Sequence, residues 1–260
     1  MSILQEIASK TKARVAKSKT TLPLAQLIKL AEQTKQPPSF KAALKQPNLS
    51  FICEVKKASP SKGVIAPDFK PLDIAKTYEQ VGARAISVLT EPFYFQGADA
   101  YLKEIAEHVK IPLLRKDFIV DEYMIYEAKV LGASAILLIV SLLDQTALTR
   151  YLNVAHDIGL DVLVEVHSEA EAELALQVPT RIIGVNHRNL SDFTMDMTLS
   201  EKIKKQVPAG CVFVAESGLH TGADIHAMRV IGADAVLIGE SFMRHPDKAA
   251  KMAELKGESS

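Results

Sequence analysis

The amino-acid sequence predicts an α/β fold in which eight parallel strands alternate with helices and close into a (β/α)8 TIM barrel. The length of 260 residues is close to the roughly 250 residues typical of such a barrel. A phrase of the form apolar-Gly-Ala-x-Ala-apolar recurs at 81–89, 131–139 and 231–239. The predicted strands are nearly continuous apolar runs, which is typical of parallel strands covered on both faces.

The recurring phrase predicts where helices end and strands begin. Each copy carries a glycine (Gly82, Gly132 or Gly232) at the point where a helix would stop in a left-handed conformation, and an apolar run follows. The glycines are 50 and 100 residues apart, as multiples of one strand-and-helix unit would be. The same elements could form an open doubly wound sheet. Because no GxGxxG follows the first strand, the closed barrel is favoured.

Eight candidate strands follow from this pattern, with room for one helix between each pair. They lie at 51–56, 84–89, 111–116, 134–140, 161–166, 181–186, 211–216 and 234–239. Helices are predicted at 121–131, 168–177 and 246–255, the second opening with the capping-box pair Ser168 and Glu171. Residues 1–48 are predicted to form a helical N-terminal extension that packs on the barrel of residues 49–260, so that 1–260 is one domain.

Composition excludes several classes of function. Acidic and basic residues balance at 31 each, so no net field favours nucleic acid or membrane as a partner. Cys53 and Cys211 are far apart and predict buried reduced thiols rather than a disulfide or a zinc site. No apolar run approaches the roughly 20 residues of a membrane span, and the N-terminus lacks a secretory signal. We therefore expect a cytoplasmic protein.

Polar side chains stand where five of the predicted strands end, and the active site of such a barrel forms at those ends. These residues are Glu54, Lys56, Lys116, Glu165, Asn186 and Glu216. Side chains two apart on a strand share a face, so Glu54 and Lys56 should point the same way. A lysine of tuned pKa can act as general acid with a glutamate partner, and a second lysine can neutralise a substrate carboxylate. The pattern predicts proton-transfer chemistry.

Small residues after the last two strands indicate a phosphate site. Ser217 and Gly218 follow the seventh strand, and Gly239 and Glu240 follow the eighth. Loops at these positions of a barrel often bind phosphate through backbone N–H groups. Ser59, in the loop after the first strand, could reach the same anion. The predicted ligand is therefore a phosphorylated small molecule.

Seven blocks, in order along nearly the whole chain, resemble indole-3-glycerol phosphate synthases. They are EVKKASPSKG (54–63), SVLTEPFYFQG (87–97), LLRKDFIVDEYMIYEA (113–128), LVEVHS (163–168), GVNHRNL (184–190), AESG (215–218) and LIGE (237–240). The family converts 1-(2-carboxyphenylamino)-1-deoxyribulose 5-phosphate into indole-3-glycerol phosphate, with release of CO2 and water, in tryptophan biosynthesis. The resemblance implies a carbon–carbon lyase. No cofactor is expected, and because the sequence contains no visible set of metal ligands, no metal is expected either.

The resemblance also implies roles for individual residues. Lys116 would be the general acid of ring closure, Glu165 its proton-transfer partner in dehydration, and Lys56 the partner of the anthranilate carboxylate. Polar residues that orient substrate and lysines would be Glu54, Asn186 and Glu216. Substrate-binding residues would be Arg188 near the site, Ser59, Ser217, Gly218, Gly239 and Glu240 around the phosphate, and Phe95 and Phe118 around the aromatic ring.

Two positions depart from the expected pattern. His187 stands where Asn or Ser is expected; beside Asn186 on a strand it should face away and affect the chemistry little. Glu240 must point its carboxylate away from a bound phosphate. The histidines look scattered, and none is predicted as a metal ligand or general base. A monomer is expected.

Three alternatives remain open at this point. One is a phosphate-binding barrel enzyme of the phosphoribosylanthranilate isomerase type, which would not need two lysines beside several glutamates. Another is a Schiff-base aldolase with Lys116 or Lys56 as nucleophile. The third is a non-catalytic phosphate-binding barrel.

Overall fold

A computed structural model describes residues 3–189 and 192–258, and in it eight parallel strands close into a barrel. Each strand pairs with its neighbours in chain order, and the eighth pairs with the first. The strands are β1 (Ser50–Val55), β2 (Ala85–Leu89), β3 (Leu113–Lys116), β4 (Ala135–Ile139), β5 (Asp161–Val166), β6 (Ile182–Asn186), β7 (Val212–Glu216) and β8 (Ala235–Ile238). All eight predicted strands and the barrel closure are confirmed.

Helices fill the intervals between the strands, with further helices before β1 and after β8. They are α1 (Ile3–Thr21), α2 (Leu24–Gln33), α3 (Phe40–Leu44), α4 (Pro71–Gln80), α5 (Asp99–Ala106), α6 (Tyr123–Val130), α7 (Gln145–Asp157), α8 (Glu169–Leu176), α9 (Leu199–Lys204), α10 (Gly222–Val230), α11 (Glu240–Arg244) and α12 (Lys248–Lys256). A short hairpin pairs Ala58–Ser59 with Gly63–Val64 after β1. Gly82, Gly132 and Gly232 have φ of 86°, 88° and 79°, so the predicted left-handed stops are confirmed.

Alternation along the strands separates two apolar cores. One side of each strand packs against the surrounding helices, as Phe51 and Val88 do. The other side fills the barrel interior, where Ile52, Leu114 and Leu163 belong to one cluster. Because side chains two apart share a face, the inward row of each strand continues toward the carboxyl end, and there the polar residues begin.

The N-terminal extension reaches both ends of the barrel. Phe40 and Leu44 of α3 join the interior cluster, and the Leu44 carbonyl accepts a 2.9 Å hydrogen bond from Ser50 Oγ at the start of β1. At the carboxyl end, Arg14 of α1 lies 2.7 Å from the Asp117 carboxylate, just after β3. α1 and α3 thus contact opposite ends of the barrel.

A buried arginine fixes β3 against the helices. Arg115 is fully buried on the outward face, next to the inward-facing Lys116. Its Nη2 lies 2.7 Å from Asp99 and 2.7 Å from Glu127, and its Nη1 donates to the Met124 carbonyl at 3.0 Å. Paired in this way, the buried charge is compensated, and it holds the strand whose next residue enters the site.

Two smaller expectations have different outcomes. Both cysteines are free, but only Cys53 is buried; Cys211 is partly exposed because it lies in the turn that enters β7. The prediction of two buried thiols is therefore wrong for Cys211. Among the described residues, no helix combines the length and apolar character that crossing a membrane requires.

Candidate active site

One cavity at the carboxyl end of the barrel holds every residue that the sequence proposed for the site. Its volume is about 1150 Å³, including the open mouth. Its lining includes Glu54, Lys56, Ser59, Phe95, Lys116, Phe118, Glu165, Asn186, Arg188, Glu216, Ser217, Gly218, Gly239 and Glu240. Residues from seven different strands or the loops after them therefore meet at one place, as the barrel topology requires.

Lys116 is surrounded by carboxylates on the cavity floor. Its Nζ lies 3.2 Å from Glu165 Oε2 and 3.8 Å from Glu216 Oε2, and its side chain is 15% exposed. Burial alone would lower the pKa of Lys116, but the charges of Glu165, Glu216 and Glu54 outweigh burial and raise that pKa. Lys116 is therefore an ammonium group at neutral pH, with a proton to donate.

The two glutamates beside Lys116 have opposite electrostatic environments. Burial would raise the pKa of Glu165, but Lys116 and His167 outweigh it and hold that pKa far below its ordinary value. Burial and the nearby Glu165 charge raise the pKa of Glu216 well above its ordinary value. The surroundings thus favour the ionised form of Glu165 and the protonated form of Glu216. Such a divided pair is typical of sites that transfer protons.

Missing side chains at two glycines leave room for these charged groups. A Cβ at Gly184 on β6 would lie 2.2 Å from Glu216 Oε1, and one at Gly239 would lie 2.4 Å from Glu54 Oε1. Sequence reasoning took Gly239 as a phosphate residue and missed Gly184. The sequence around Gly184 (GVN, 184–186) does not indicate its contact with Glu216, because Glu216 lies on the neighbouring strand β7.

Glu54 and Lys56 form a second ion pair at the cavity wall. Lys56 Nζ lies 2.5 Å from Glu54 Oε1, so the two side chains share a face as predicted. The lysine side chain is 16% exposed and the glutamate 5%. Both residues line the cavity, so the lysine could meet an anionic group of a ligand there.

His167 is a residue that sequence reasoning missed. It follows β5 two residues after Glu165, and its Nε2 lies 3.2 Å from Glu165 Oε1. Its side chain is 10% exposed. The available signal was spacing, since residues two apart on a strand share a face. The expectation that the histidines are merely scattered is therefore wrong for His167.

Left-handed backbone follows β7, where the sequence predicted phosphate binding. Ser217 and Gly218 have φ of 69° and 74°. For a serine this conformation is strained, and such strain is common at functional sites. Successive N–H groups in turns of this kind can form a concave anion site. The Glu240 carboxylate pairs with Arg244 at 3.0 Å along α11.

Asn186 and His187 support the neighbouring loops. The Asn186 side-chain oxygen accepts a 3.0 Å hydrogen bond from the Arg188 backbone N–H. His187 is not among the residues that line the cavity. Its ring instead lies 2.9 Å from the Ser217 carbonyl and 2.6 Å from Ser200 Oγ. It faces away from the cavity as predicted, yet it contacts the loop on which phosphate binding was predicted.

Apolar side chains form the remaining wall of the cavity. The rings of Phe95 and Phe118 are 5.9 Å apart at an angle of 39°. The buried Glu91 carboxylate positions the Phe95 loop by accepting hydrogen bonds from three successive backbone N–H groups at 93–95, at 2.7 to 3.0 Å. Ile3, Leu4 and Ile7 of α1 also line the cavity. The sequence analysis placed these three residues only within the helical extension of residues 1–48.

Acid–base side chains, a polar loop with strained backbone and an apolar wall at the carboxyl end define an enzyme of the (β/α)8-barrel class. Among the described residues, no group of three or more histidine, cysteine or acidic residues is placed to hold a metal ion. The fold is similar to that of 3-hexulose-6-phosphate synthase, with a TM-score of 0.65, 14% identity and coverage of 82% of this chain and 100% of that chain. It is also similar to N-acetylmannosamine-6-phosphate 2-epimerase from Clostridium perfringens, with a TM-score of 0.63, 15% identity and coverage of 80% and 92%.

The family itself follows from sequence comparison. The indole-3-glycerol phosphate synthase family profile matches residues 4–255. The indole-3-glycerol phosphate synthase of Ruminiclostridium cellulolyticum is 49% identical over 257 residues, covering 98% of this chain and 99% of the relative. That of Endomicrobium trichonymphae is 48% identical over 256 residues, covering 98% and 99%. The chain belongs to the indole-3-glycerol phosphate synthase family, the decarboxylating carbon–carbon lyases of tryptophan biosynthesis. The isomerase, aldolase and non-catalytic alternatives are thereby set aside.

Proposed function

We propose that this cavity converts 1-(2-carboxyphenylamino)-1-deoxyribulose 5-phosphate into indole-3-glycerol phosphate, using Lys116 as general acid and Glu165 as proton acceptor. The observation that carries the proposal is the contact between the Lys116 ammonium group and the Glu165 carboxylate, 3.2 Å apart on the cavity floor. One group has a proton to give and the other can accept one, which acid–base catalysis at a single reaction centre requires.

Ring closure makes a bond between the aromatic carbon that bears the carboxylate and the carbonyl carbon of the sugar chain. The carbonyl oxygen gains negative charge as this bond forms. Lys116 is placed to donate a proton to that oxygen, and a buried ammonium group stabilises developing charge more strongly than one in water. The carboxylate then leaves as CO2, and its bonding electrons restore the aromatic ring.

Dehydration completes the indole. The hydroxyl made from the carbonyl takes a proton from the Lys56 ammonium group, whose carboxylate partner has by then left as CO2, and departs as water. The neighbouring ring carbon of the new five-membered ring loses a proton. Glu165 is the ionised carboxylate beside this centre and would accept that proton. Glu216, whose pKa is raised by burial and by the Glu165 charge, would help to orient the substrate and Lys116. Asn186 and Glu54 would orient substrate and lysines.

The ends of the substrate would be held by the outer parts of the cavity. The Lys56 ammonium group would pair with the anthranilate carboxylate, and Phe95 and Phe118 would enclose the aromatic ring. The phosphate would bind the loops after β7 and β8 and the loop after β1, through Ser59, Ser217, Gly218, Gly239 and the Glu240 backbone. Arg188 would stand near the same end.

A turnover assay with the purified chain tests this function. We expect indole absorbance to appear with the carboxyphenylamino-deoxyribulose phosphate, and Lys116→Ala to abolish it. Absence of product from folded wild-type protein would refute the proposal.

The phosphate site has a matched pair of variants. Gly218 and Gly210 both have positive φ, 74° and 94°, so alanine strains the backbone at either position. A Cβ at Gly218 would also lie 2.6 Å from Met195 and Met197, whereas nothing lies within 4 Å at Gly210, which precedes β7 at the opposite barrel end. Gly218→Ala should raise KM and weaken inhibition by inorganic phosphate. Gly210→Ala should change stability alone, and equal KM effects would refute the phosphate assignment.

We infer further that the chain is one domain, works as a monomer in the cytoplasm and binds neither nucleic acid nor membrane. Its balanced charge supports this. Exposed large apolar side chains such as Leu30 on α2, Phe93 in the loop after β2 and Val230 on α10 lie in different parts of the chain rather than in one segment, which also supports it. Light scattering across a concentration series tests the monomer, and a mass of twice 28.4 kDa would contradict it.

A further inference from the structure

His167 lies between two carboxylates at the edge of the active site. Its Nε2 is 3.2 Å from Glu165 Oε1, and its Nδ1 is 3.4 Å from Glu171 Oε2. Glu165 in turn contacts Lys116 from β3 through its other oxygen. The four side chains therefore alternate in charge from the cavity floor outward, as ammonium, carboxylate, imidazole and carboxylate.

The two facing carboxylates favour the imidazolium form of the ring. The contacts of 3.2 and 3.4 Å are ion-pair distances rather than aligned hydrogen bonds, and each negative charge stabilises a positive charge on the buried ring. Burial would lower the pKa of His167, but pairing with Glu165 and Glu171 outweighs burial and raises that pKa to about 9. Two other partly or largely buried histidines differ, since burial lowers the pKa of His156 and His187.

Glu171 is itself held by the start of α8. Its carboxylate accepts a 2.7 Å hydrogen bond from the His167 backbone N–H, and its own N–H donates to Ser168 Oγ at 3.1 Å. In a usual capping box the glutamate accepts from the cap residue itself. Here it accepts from the residue before the cap. Consequently the cap of α8 also fixes the carboxylate that faces the imidazole.

We propose that His167 is a positioning residue for this reaction, an imidazolium held by Glu171 that keeps the Glu165 carboxylate oriented and ionised for its proton transfer. The inference rests on the proposed role of Glu165. Lys116 cannot do this alone, because it contacts only Oε2 of Glu165 and itself gives up a proton during ring closure. His167 holds the other oxygen throughout.

Nuclear magnetic resonance of the histidine side-chain nitrogens tests the charge state without reference to activity. We expect both nitrogens of His167 to be protonated at pH 7.5 and the ring to titrate near pH 9. Glu171→Gln should lower this pKa by about one unit or more, because it removes one of two adjacent negative charges. Glutamine can still accept the His167 backbone N–H, so the helix cap remains. A His167 ring that is neutral at pH 7.5 would overturn the inference.

Kinetics test the positioning role. In the wild type, kcat should fall at high pH as His167 loses its proton. In Glu171→Gln this fall should begin at a lower pH, because the pKa of His167 is lower, and KM should change little. His167→Gln should lower kcat about tenfold at every pH from 7 to 10 and remove the fall of kcat at high pH, because the titrating group is gone. Adding Glu171→Gln to it should then have no further effect on kcat. His156→Gln, on α7, is the matched control and should leave the profile unchanged.

The two proposals fail separately. Wild-type kcat in Glu165→Gln would overturn the role of Glu165, and this inference with it. If Glu165→Gln is inactive but the pKa of His167 is unchanged in both Glu165→Gln and Glu171→Gln, this inference alone is overturned. An effect of Glu171→Gln on kcat that persists in the His167→Gln background would also overturn it.

Discussion

Replacing Gly184 with alanine should damage catalysis through Glu216. The new Cβ would lie 2.2 Å from Glu216 Oε1 and 3.0 Å from Leu163 Cδ1. Protein Cβ contacts essentially never fall below 3.0 Å, so the carboxylate must retreat by about 0.8 Å, the difference between 3.0 and 2.2 Å. A displacement of about 1 Å in an active site can reduce the rate roughly 100-fold, equivalent to about 2.7 kcal/mol of transition-state stabilisation.

Glu216 cannot move freely, because it is buried on the cavity floor and lies 3.8 Å from Lys116 Nζ. We therefore expect Gly184→Ala to lower kcat by about 100-fold, while overpacking lowers the free energy of unfolding by about 1–3 kcal/mol. KM should change little, since the phosphate loops are not displaced. Indole formation under saturating substrate and urea denaturation measure the two effects.

A double-mutant cycle decides whether the effect passes through Glu216. Glu216→Ala removes the carboxylate that the new methyl group would strike. Gly184→Ala should therefore be nearly neutral for kcat in the Glu216→Ala background. Wild-type kcat in the single variant, or a full additive loss in the double variant, would refute the reasoning.

Three further predictions concern other parts of the molecule. Lys116→Ala should abolish turnover while circular dichroism and the unfolding transition remain those of a folded protein; turnover at the wild-type rate would contradict the assigned role. His187→Ala should raise KM more than it lowers kcat, because the Ser217 carbonyl loses its partner, and unchanged steady-state constants would oppose this. Burial would raise the pKa of Asp117, but the charges of Arg14 and Arg115 outweigh burial and lower that pKa. The ionised carboxylate therefore stabilises the fold at pH values above the ordinary aspartate pKa near 3.9, and this stabilisation is lost as the pH falls below that value. Urea denaturation at pH 6 and pH 3 should show a smaller loss of stability in Asp117→Asn than in the wild type, and an equal loss would contradict this.

Local sequence patterns predicted the strands and the positions of their polar ends. Each apolar run is long enough for a strand, and each of three glycines stops a helix in a left-handed conformation that other residues adopt at a cost. Parallel strands in a barrel bring all their carboxyl ends to one face. For this reason Glu54, Lys116 and Glu165 could be placed in one site although 111 residues separate the first from the last.

Contacts between strands could not be predicted in the same way. Gly184 and Glu216 meet across β6 and β7, and the sequence of neither strand specifies their register. His167 looked unremarkable because its second carboxylate comes from α8. Ile3, Leu4 and Ile7 fit an ordinary helical stripe equally well, and only the path of α1 across the barrel mouth brings them to the cavity.

By itself the sequence determined the order of elements, the barrel class, the family resemblance and the residue types available for catalysis, because these depend on periodicity, chain order and local backbone preference. The tertiary structure decided which charges lie within 4 Å of one another, and hence the charge states within the site. The raised pKa values of Lys116 and Glu216 and the lowered pKa of Glu165 depend on mutual distance and burial. Coulomb energy falls with distance and rises as water is removed, and both quantities are fixed only when the strands close into the barrel.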